Sequence, residues 1–540
     1  MTGCSDREND EEGDKDGEIL KRTQKKRSKS EKHVSFPPDG QIVSGFSEHK
    51  DRGRNVDSCL TLTEVSSAYR RSCDKHQVEP RPHILEQLKW GNCVGSRVRC
   101  LDLRGERLDH RSCEALEVIL KSLHFDFINL RAAQLEENGA SSLLDMILYY
   151  ESTTHLDMSD SPSIGPSGWR ALTHLIKQSV CLSRLDVCNV SMLDYPAQSL
   201  SKALLTSQLA VLHLHNAQLS GTPLYSLVSA LKSNRALLEL DLSDNQLNSY
   251  QDAIQLGDLL RYNRTLQTLE LSNNAIADAG LEELCDGLKW PTASLRVLLL
   301  RNNQITTDGV VHLRNALPVL KTVEVLDLGG NALGNSGIQT LKEPLIRNRS
   351  LLHLGLANSH ITCEGTVALA EYLVESHQIR RLDVRQNEVR VGGLMAFSLA
   401  LRINHSLVDL DSDPIPEQDE FLMATQKRLL SEIADLCVAN ARRAAVAATE
   451  TTELQPEPTA DTSSSSSSTS SSSASFIMAH VGMAASQPSL ASSQAAPKRQ
   501  PSSLHPAGPR ITSASLRSTL EPHPALMAER DEGQMCGQWE

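Results

Sequence analysis

Apolar residues in the middle of the chain alternate over a few positions and then change period. TLQTLELSNNAI (265–276) and TVEVLDLGGNAL (322–333) both fit L-x-x-L-x-L-x-x-N-x-L, with Val or Ile at some Leu positions. The L-x-L part has the period of a strand. The apolar residues that follow the Asn return at helical spacing, as at Leu281, Leu284 and Leu288. Each unit therefore predicts one short strand followed by one helix.

The unit recurs along most of the chain. When the second Leu of the pattern is used as an anchor, twelve anchors follow one another at intervals of 27 to 29 residues. Such a period indicates a leucine-rich-repeat array. A unit of about 28 residues with a full helix resembles the ribonuclease-inhibitor subclass, which implies an α/β solenoid, a horseshoe of 11–12 repeats with a parallel sheet inside and helices outside. The anchors are Leu101, Ile128, Leu156, Leu185, Leu212, Leu240, Leu269, Leu298, Leu326, Leu354, Leu382 and Leu410.

The Asn position of the pattern is filled unevenly. In the later units its amide is expected to stack on the next one and to bond the backbone of the turn. Other residues fill the position in the early units, so the N-terminal half is predicted to be less regular. The Asn residues are Asn245, Asn274, Asn303, Asn331 and Asn387, and the early substitutes are Glu106, Ala133, Ser161, Val190 and Ala217.

A repeat array needs capped ends, because the terminal units would otherwise expose their core. Residues 56–97, with short amphipathic helices over 56–77 and 82–90, are predicted to cover the first repeat. The repeats run over 98–411, and 412–447, with a helix over 420–445, is predicted to cover the last repeat. A capping role is favoured over a partner-binding helix.

Composition separates this region from both ends of the chain. Residues 1–18 carry eight acidic residues, 21–32 carry seven basic ones, and 448–540 is rich in Ser, Ala and Pro. Neither end offers enough apolar surface to offset the ordering of the backbone, so 1–55 and 448–540 are predicted to be disordered.

Bulk charge and composition also limit the function. A net charge of −13 argues against general nucleic-acid binding, which needs a basic surface. The absence of an apolar run of about 18 residues predicts no membrane insertion. Twelve cysteines without a C-x-x-C pair favour reduced thiols and a cytoplasmic or nuclear protein rather than a secreted one.

The residue after each anchor is expected to point into the concave side of the solenoid. These residues are mostly acidic, which predicts a stripe that attracts a further protein with a basic surface. A local interpretation stays open, in which the acids pair with the arginines two positions later, Arg104, Arg131, Arg301 and Arg385. The candidate contacts are Asp157, Asp186, Asp241, Glu270, Asp327 and Asp383.

No catalytic or metal-binding motif is recognisable in the sequence. A Walker loop, an H-E-x-x-H pair and a nucleophile elbow are all missing, and His353, His360 and His377 lie at no ligand spacing. The sequence predicts no enzyme, no metal and no cofactor. One enzymatic alternative stays open, because a GTPase-activating protein of the Ran type uses this repeat subclass.

A short string in the N-terminal segment suggests a partner. KHVSF (32–36) resembles the docking motif for protein phosphatase 1, in which a basic residue precedes a Val-x-Phe pair. An apolar pair and an arginine follow, as in an extended arrangement found in several regulators of this phosphatase. The predicted docking residues are Lys32, Val34, Phe36, Ile42, Val43 and Arg52.

This string, followed by repeats of 28 residues, resembles the protein phosphatase 1 regulatory subunit 37 family. The resemblance implies a non-enzymatic regulatory subunit that binds the phosphatase catalytic subunit and inhibits its activity toward some substrates. A scaffold in which KHVSF is accidental stays open as an alternative.

Two further features lie beside the docking string. Ser35 stands between Val34 and Phe36 in a basic context that kinases favour, and a phosphate there is expected to weaken docking. The basic run over 21–32 has three open interpretations: electrostatic support for docking, a nuclear-import signal, or a solvated stretch.

Overall fold

The computed structural model describes residues 61–453, except 91–92, 95–96, 162–163, 194, 291–293 and 417–418; the side chains of 90, 93, 94 and 447–453 are not described. Strands and helices alternate along this range. The strands are β1 Cys93–Val94, β2 Arg97–Asp102, β3 Arg107–Leu108, β4 Phe125–Asn129, β5 Gln134–Leu135, β6 Thr153–Asp157, β7 Arg184–Asp186, β8 Val211–His213, β9 Glu239–Asp241, β10 Thr268–Glu270, β11 Val297–Leu299, β12 Val325–Asp327, β13 His353–Gly355, β14 Arg381–Asp383 and β15 Asp409–Asp411. The helices are α1 Leu62–His76, α2 Pro82–Trp90, α3 His110–Ser122, α4 Glu137–Tyr150, α5 Gly165–Gln178, α6 Tyr195–Leu204, α7 Thr222–Leu231, α8 Tyr250–Tyr262, α9 Ala277–Leu288, α10 Val310–Ala316, α11 Gly334–Arg347, α12 Cys363–Glu375, α13 Val391–Leu401 and α14 Glu420–Glu453.

Thirteen of the described strands form one sheet. Its order is β1-β2-β4-β6-β7-β8-β9-β10-β11-β12-β13-β14-β15, and every pairing after the antiparallel β1–β2 contact is parallel. Each anchor residue pairs with the anchor of the next unit, from Leu101 opposite Ile128 to Leu382 opposite Leu410. The predicted repeat register is therefore confirmed over all twelve units.

The core lies between this sheet and the helices. From Leu101 to Leu382 every anchor is at most 2% exposed, whereas Leu410 in the last strand is only half-buried. Helix residues of the predicted spacing, such as Leu281, Leu284 and Leu288, face the same core. Each such side chain contributes about 1.5–3 kcal/mol on burial, so the stability of the solenoid is spread over all of its units.

The turn after each strand needs a left-handed residue four positions beyond the anchor. Asn and Asp tolerate this conformation better than other residues, and Gly has no Cβ that would oppose it. At Gly330, φ is +72° and a Cβ atom would also overlap the side chain of Asn302. The column consists of Gly105, Ala132, Asp160, Asn189, Asn216, Asp244, Asn273, Asn302, Gly330, Asn358 and Gln386.

The predicted Asn stack is present in the later units. Asn274 donates from Nδ2 to the carbonyl of Leu271 at 2.8 Å and to that of Leu242 at 3.0 Å, while its Oδ1 accepts from the backbone N–H of Asn245 at 2.7 Å. Among the early units, which lack this Asn, the first three have strands of five or six residues rather than three, and the first two add a separate two-stranded sheet of β3 and β5. They are therefore less regular, as predicted.

Helices lie at both ends of the described array. α1 begins after Thr61, which forms a capping box with Glu64, and it buries Val65, Tyr69 and Cys73. At the other end α14 buries Leu429, Ile433 and Cys437. α14 continues to Glu453, beyond the predicted end of the helix at 445 and into the range that was predicted to be disordered.

Candidate interaction surface

The residues that follow the anchors form one row on the face of the sheet that the helices do not cover. Strand pairing places each member opposite the next one, about 4.8 Å away, from Asp102 opposite Asn129 to Asp383 opposite Asp411. We call this set the strand row. It consists of Asp102, Asn129, Asp157, Asp186, His213, Asp241, Glu270, Leu299, Asp327, Gly355, Asp383 and Asp411.

Most polar members of the strand row have a local structural role. Their side-chain oxygens accept a hydrogen bond from the backbone N–H two residues later, at 2.8–3.1 Å, and this bond holds the turn at the end of the strand. The acidic composition of the row is thus explained in part by turn formation. The residues that make this bond are Asp102, Asn129, Asp157, Asp241, Glu270, Asp327 and Asp383.

Asp186 lies at the centre of a charged cluster. Its carboxylate accepts from Arg184 Nε at 3.1 Å and lies 2.7 Å from His155 Nε2 and 3.1 Å from His213 Nδ1. Burial alone would raise the pKa of Asp186, but its hydrogen bonds with the two histidines hold that pKa well below its usual range. This carboxylate is already neutralised by its neighbours.

His213 links this cluster to the next unit. Its Nε2 lies 2.9 Å from Glu239 Oε1. Burial opposes a charged imidazole, yet hydrogen bonds with Asp186 and Glu239 outweigh it and raise the pKa of His213 to about 9. The imidazolium is therefore the stable form at neutral pH.

Two other predicted contacts are paired with arginine. Asp327 accepts from Arg301 Nη1 at 3.0 Å across neighbouring units, and Asp383 accepts from Arg385 of its own unit at 2.7 Å. Burial works against ionisation, but the hydrogen bonds from Arg385 lower the pKa of Asp383. Asp383 is thus paired with the arginine two positions later, as the local interpretation of the sequence expects, whereas Asp327 is paired with an arginine of the neighbouring unit.

Asp157, Asp241 and Glu270 form no ion pair with any cation in the described part of the chain. Asp241 and Glu270 are direct neighbours in the strand row. Burial and the negative charges of Asp241 and Asp327 raise the pKa of Glu270 to about 7. Within the described residues, these acids are the part of the predicted stripe that forms no ion pair.

The predicted docking residues lie outside the described residues. They are Lys32, Val34, Ser35, Phe36, Ile42, Val43 and Arg52. Within residues 61–453 as described, no group of three or more His, Cys, Asp or Glu side chains is arranged to hold a metal ion. No helix of the described range is long and apolar enough to cross a membrane.

A second set of buried asparagines was missed by the sequence analysis. Asn234, Asn263, Asn348 and Asn404 lie six residues before an anchor and are at most 4% exposed. Their Nδ2 groups donate to carbonyls at or next to the C-terminal end of the helix one unit earlier, at 2.6–2.8 Å. The recurring N-x-[A/S/T]-L string was the available signal, and its asparagine fixes the loop that leads into the next strand.

The chain is similar to known leucine-rich-repeat proteins. The family model described as "Leucine Rich repeat" matches residues 262–285 and 319–342. A ribonuclease inhibitor from Sus scrofa is 26% identical over 246 residues, 45% of each chain. With the parallel sheet and alternating helices, these matches define a leucine-rich-repeat protein of the ribonuclease-inhibitor type.

The proteins named protein phosphatase 1 regulatory subunit 37 are more similar. The Bos taurus protein is 47% identical over 294 residues, 54% of this chain and 42% of that protein. The Homo sapiens protein is 44% identical over 294 residues, with the same shares. The predicted resemblance to this family is confirmed, and the chain spans less than half the length of these relatives.

Proposed function

We propose that the chain is a non-enzymatic regulatory subunit of protein phosphatase 1 that inhibits the phosphatase toward some substrates. The observation that carries the proposal is the combination of two features in one chain: relatives named for this role at 44–48% identity and a KHVSF string at 32–36. The string binds the catalytic subunit, and the repeats present a second surface.

The docking mechanism follows from alternate side chains. An extended segment that joins the edge of a partner's sheet gains backbone hydrogen bonds and directs every second side chain into the partner. Val34 and Phe36 are two residues apart and contribute about 1.5–3 kcal/mol each. Ordering the segment costs about 2–5 kcal/mol, so Ile42, Val43 and Arg52 supply the surplus.

The test is calorimetric titration of the full chain with the phosphatase catalytic subunit. Val34→Ala with Phe36→Ala is expected to weaken binding at least a hundredfold, about 2.7 kcal/mol. Ile19→Ala with Phe46→Ala removes comparable apolar groups from the same segment and is expected to change the affinity less than twofold. A loss below fivefold in the first variant contradicts docking through this string.

Phosphorylation of Ser35 is proposed to weaken this contact. The phosphate adds about −1.5 to −2 charge between the two docking side chains, where the edge of the partner's sheet leaves little room for it. Peptides covering 30–54, with and without phosphoserine at 35, measure the effect in the same titration. Equal affinity of the two peptides rules the switch out.

The strand row is proposed as the surface for a further, basic partner. Asp157, Asp241 and Glu270 carry this proposal, because Asp186, Asp327 and Asp383 are already paired. A decalysine peptide is the probe, and Asp241→Asn with Glu270→Gln is expected to slow its association most at low salt. The control is Asp308→Asn with Glu343→Gln, because these two acids are exposed outside the strand row. Equal association rates for the two double variants contradict the proposal.

A further inference from the structure

Basic residues recur at one position of the repeat, on the edge of the solenoid where each helix leads into the next strand. This position is the fifth before the anchor. All of its described members from α7 onward are exposed, and Arg347 and Arg380 lie in the same loops. We call the set the basic column, and it consists of Arg235, Arg264, Lys321, Arg349, His377 and His405.

The basic column is held in place by the buried asparagines. Arg235, Arg264, Arg349 and His405 each directly follow one of them, so the backbone at these positions is tied to the end of the helix one unit earlier. At the end of the column Arg443 donates to His405 Nδ1 at 2.9 Å and adds a further cation. The column is thus a regular surface feature rather than a set of unrelated side chains.

The charges of the basic column are not used within the described fold. Arg235, Arg264, Lys321 and Arg349 form no ion pair with any residue that the structure describes between 61 and 453. Arg235 with Arg264, and Lys321 with Arg349, lie in neighbouring loops, and one unit with Ala293 at this position separates the two pairs. Cations in neighbouring loops repel one another, and an anionic partner relieves this repulsion. Arginine at three of the four positions suits carboxylates, since its guanidinium binds both oxygens of a carboxylate.

The N-terminal acidic run matches this surface in sign and in period. Every second residue from 6 to 18 is acidic, so in an extended conformation seven carboxylates would share one side, about 6.6–6.8 Å apart. Strands stack at about 4.8 Å and packed helices at about 8–10 Å, and the column lies between the two layers. The spacing of column members in neighbouring units therefore falls in the range of the acidic series Asp6, Glu8, Asp10, Glu12, Asp14, Asp16 and Glu18.

We propose that residues 6–18 bind along the basic column of their own chain as an extended acidic strip. The basic run that starts at Lys21 is repelled by the same column, so the docked strip ends before it. This interaction surface is separate from the strand row.

The connecting chain is long enough for this contact. Residues 19–60 number 42 and span about 63 Å even if they are wholly helical, and more in any extended form. The basic column begins beside β9, which is the fifth strand after β2 in the sheet. The distance between β2 and β9 is about 24 Å along the sheet, and the corresponding distance along the helix layer is about 50 Å.

The contact does not depend on phosphatase docking. If both hold, the docking string at 32–36 lies on a segment anchored at both ends, by the acidic strip and by α1. The bound catalytic subunit is then kept beside the repeats.

Zero-length carbodiimide crosslinking of the full chain, read by mass spectrometry, tests the contact, because it joins carboxylates only to amines that touch them. A crosslink between Lys321 and an acid of 6–18 is expected. Arg235→Glu with Arg264→Glu and Arg349→Glu retains Lys321 but is expected to reduce this crosslink at least tenfold. Arg70→Glu with Arg71→Glu and Arg442→Glu changes the net charge equally at exposed sites and is expected to retain it.

Three results overturn the inference. The first is a Lys321 crosslink no more abundant than that of Lys89, which lies on a helix face, and the second is an equal loss of the Lys321 crosslink in both triple variants. The third is a crosslink that, in a mixture of isotopically light and heavy chains, joins only a light chain to a heavy one. The last result indicates binding to a second copy instead. Circular dichroism verifies that each variant is folded. Phosphatase binding is measured separately by calorimetry, so failure of one proposal leaves the other to its own test.

Discussion

Asp186 and Glu270 occupy the same position of the repeat but differ in their titration. Asp186 is surrounded by Arg184, His155 and His213, and its pKa is held low. Glu270 accepts from the N–H of Ser272 at 2.9 Å, and burial together with Asp241 on the adjacent strand and Asp327 two strands away raises its pKa to about 7. Side chains of the neighbouring units therefore take part in setting the charge at this position.

At the residue scale, Glu270→Gln is expected to remove a loss of stability that the unmodified chain shows as the pH rises. The carboxyl of Glu270 ionises near 4.5 when unfolded and near 7 when folded, so the folded state binds more protons between these values. Stability that is full below pH 4.5 is therefore lost as the pH rises through 7, on the order of 3 kcal/mol. Urea midpoints from pH 4.5 to 8 measure the loss, which the Gln variant should not show.

Glu343→Gln serves as the control, since Glu343 is exposed on α11. It should follow the pH dependence of the unmodified chain. Parallel curves for the Glu270 variant and the unmodified chain contradict the assignment of this pH dependence to Glu270.

At the scale of the elements, four buried asparagines join the loop before a strand to the end of the helix one unit earlier. Asn263 donates to the carbonyl of Leu231 at 2.7 Å, and its Oδ1 accepts from the N–H groups of Thr265 and Leu266 at 2.9 and 2.8 Å. Asn348, three units later, repeats the pattern with the carbonyl of Leu317 and the N–H of Leu351. One amide thus satisfies three backbone groups that the loop leaves unpaired.

Asn263→Ala or Asn348→Ala is therefore expected to cost about 2–4 kcal/mol, since removal of one buried amide leaves several backbone groups without a partner. Hydrogen exchange should locate the loss of protection in the altered unit and its two neighbours. Asn248→Ala, at an exposed asparagine, should change the midpoint by less than about 0.5 kcal/mol. A uniform loss of protection along the whole array contradicts the local role.

At the scale of the whole molecule, the array is built from contacts between consecutive units. Strand order follows chain order throughout the main sheet, and each helix packs on the next one, as α8 on α9 and α11 on α12. In such a structure stability is close to a sum of unit terms and neighbour terms. A complete unit is thus removable without loss of the architecture.

Deletion of 298–325, one complete unit, is expected to give a folded monomeric chain. It joins Val297 to Leu326 and restores the strand register, because Leu298 and Leu326 are equivalent anchors. Circular dichroism and size-exclusion chromatography measure the outcome. Deletion of 298–311 removes half a unit and places strand and helix out of phase, so this variant is expected to aggregate. Equal behaviour of the two deletion variants contradicts a modular array.

The candidate surface was only partly predictable from the sequence. The period located every member of the strand row, because strand geometry fixes which residues share a face. It did not show that Asp186 is neutralised by histidines from both adjacent units, or that Asp241 and Glu270 lack a cation. Those outcomes depend on contacts between residues that are about 28 positions apart.

The sequence by itself determined the solenoid, its units and the alternation of strand and helix, since hydrophobic period and burial act locally and repeat in every unit. Only the tertiary structure decided which acids remain uncompensated, which asparagines are buried and which cations align along the edge. The physical reason is that charge and hydrogen bonding depend on distances across units, and the order of residues within one unit does not contain those distances.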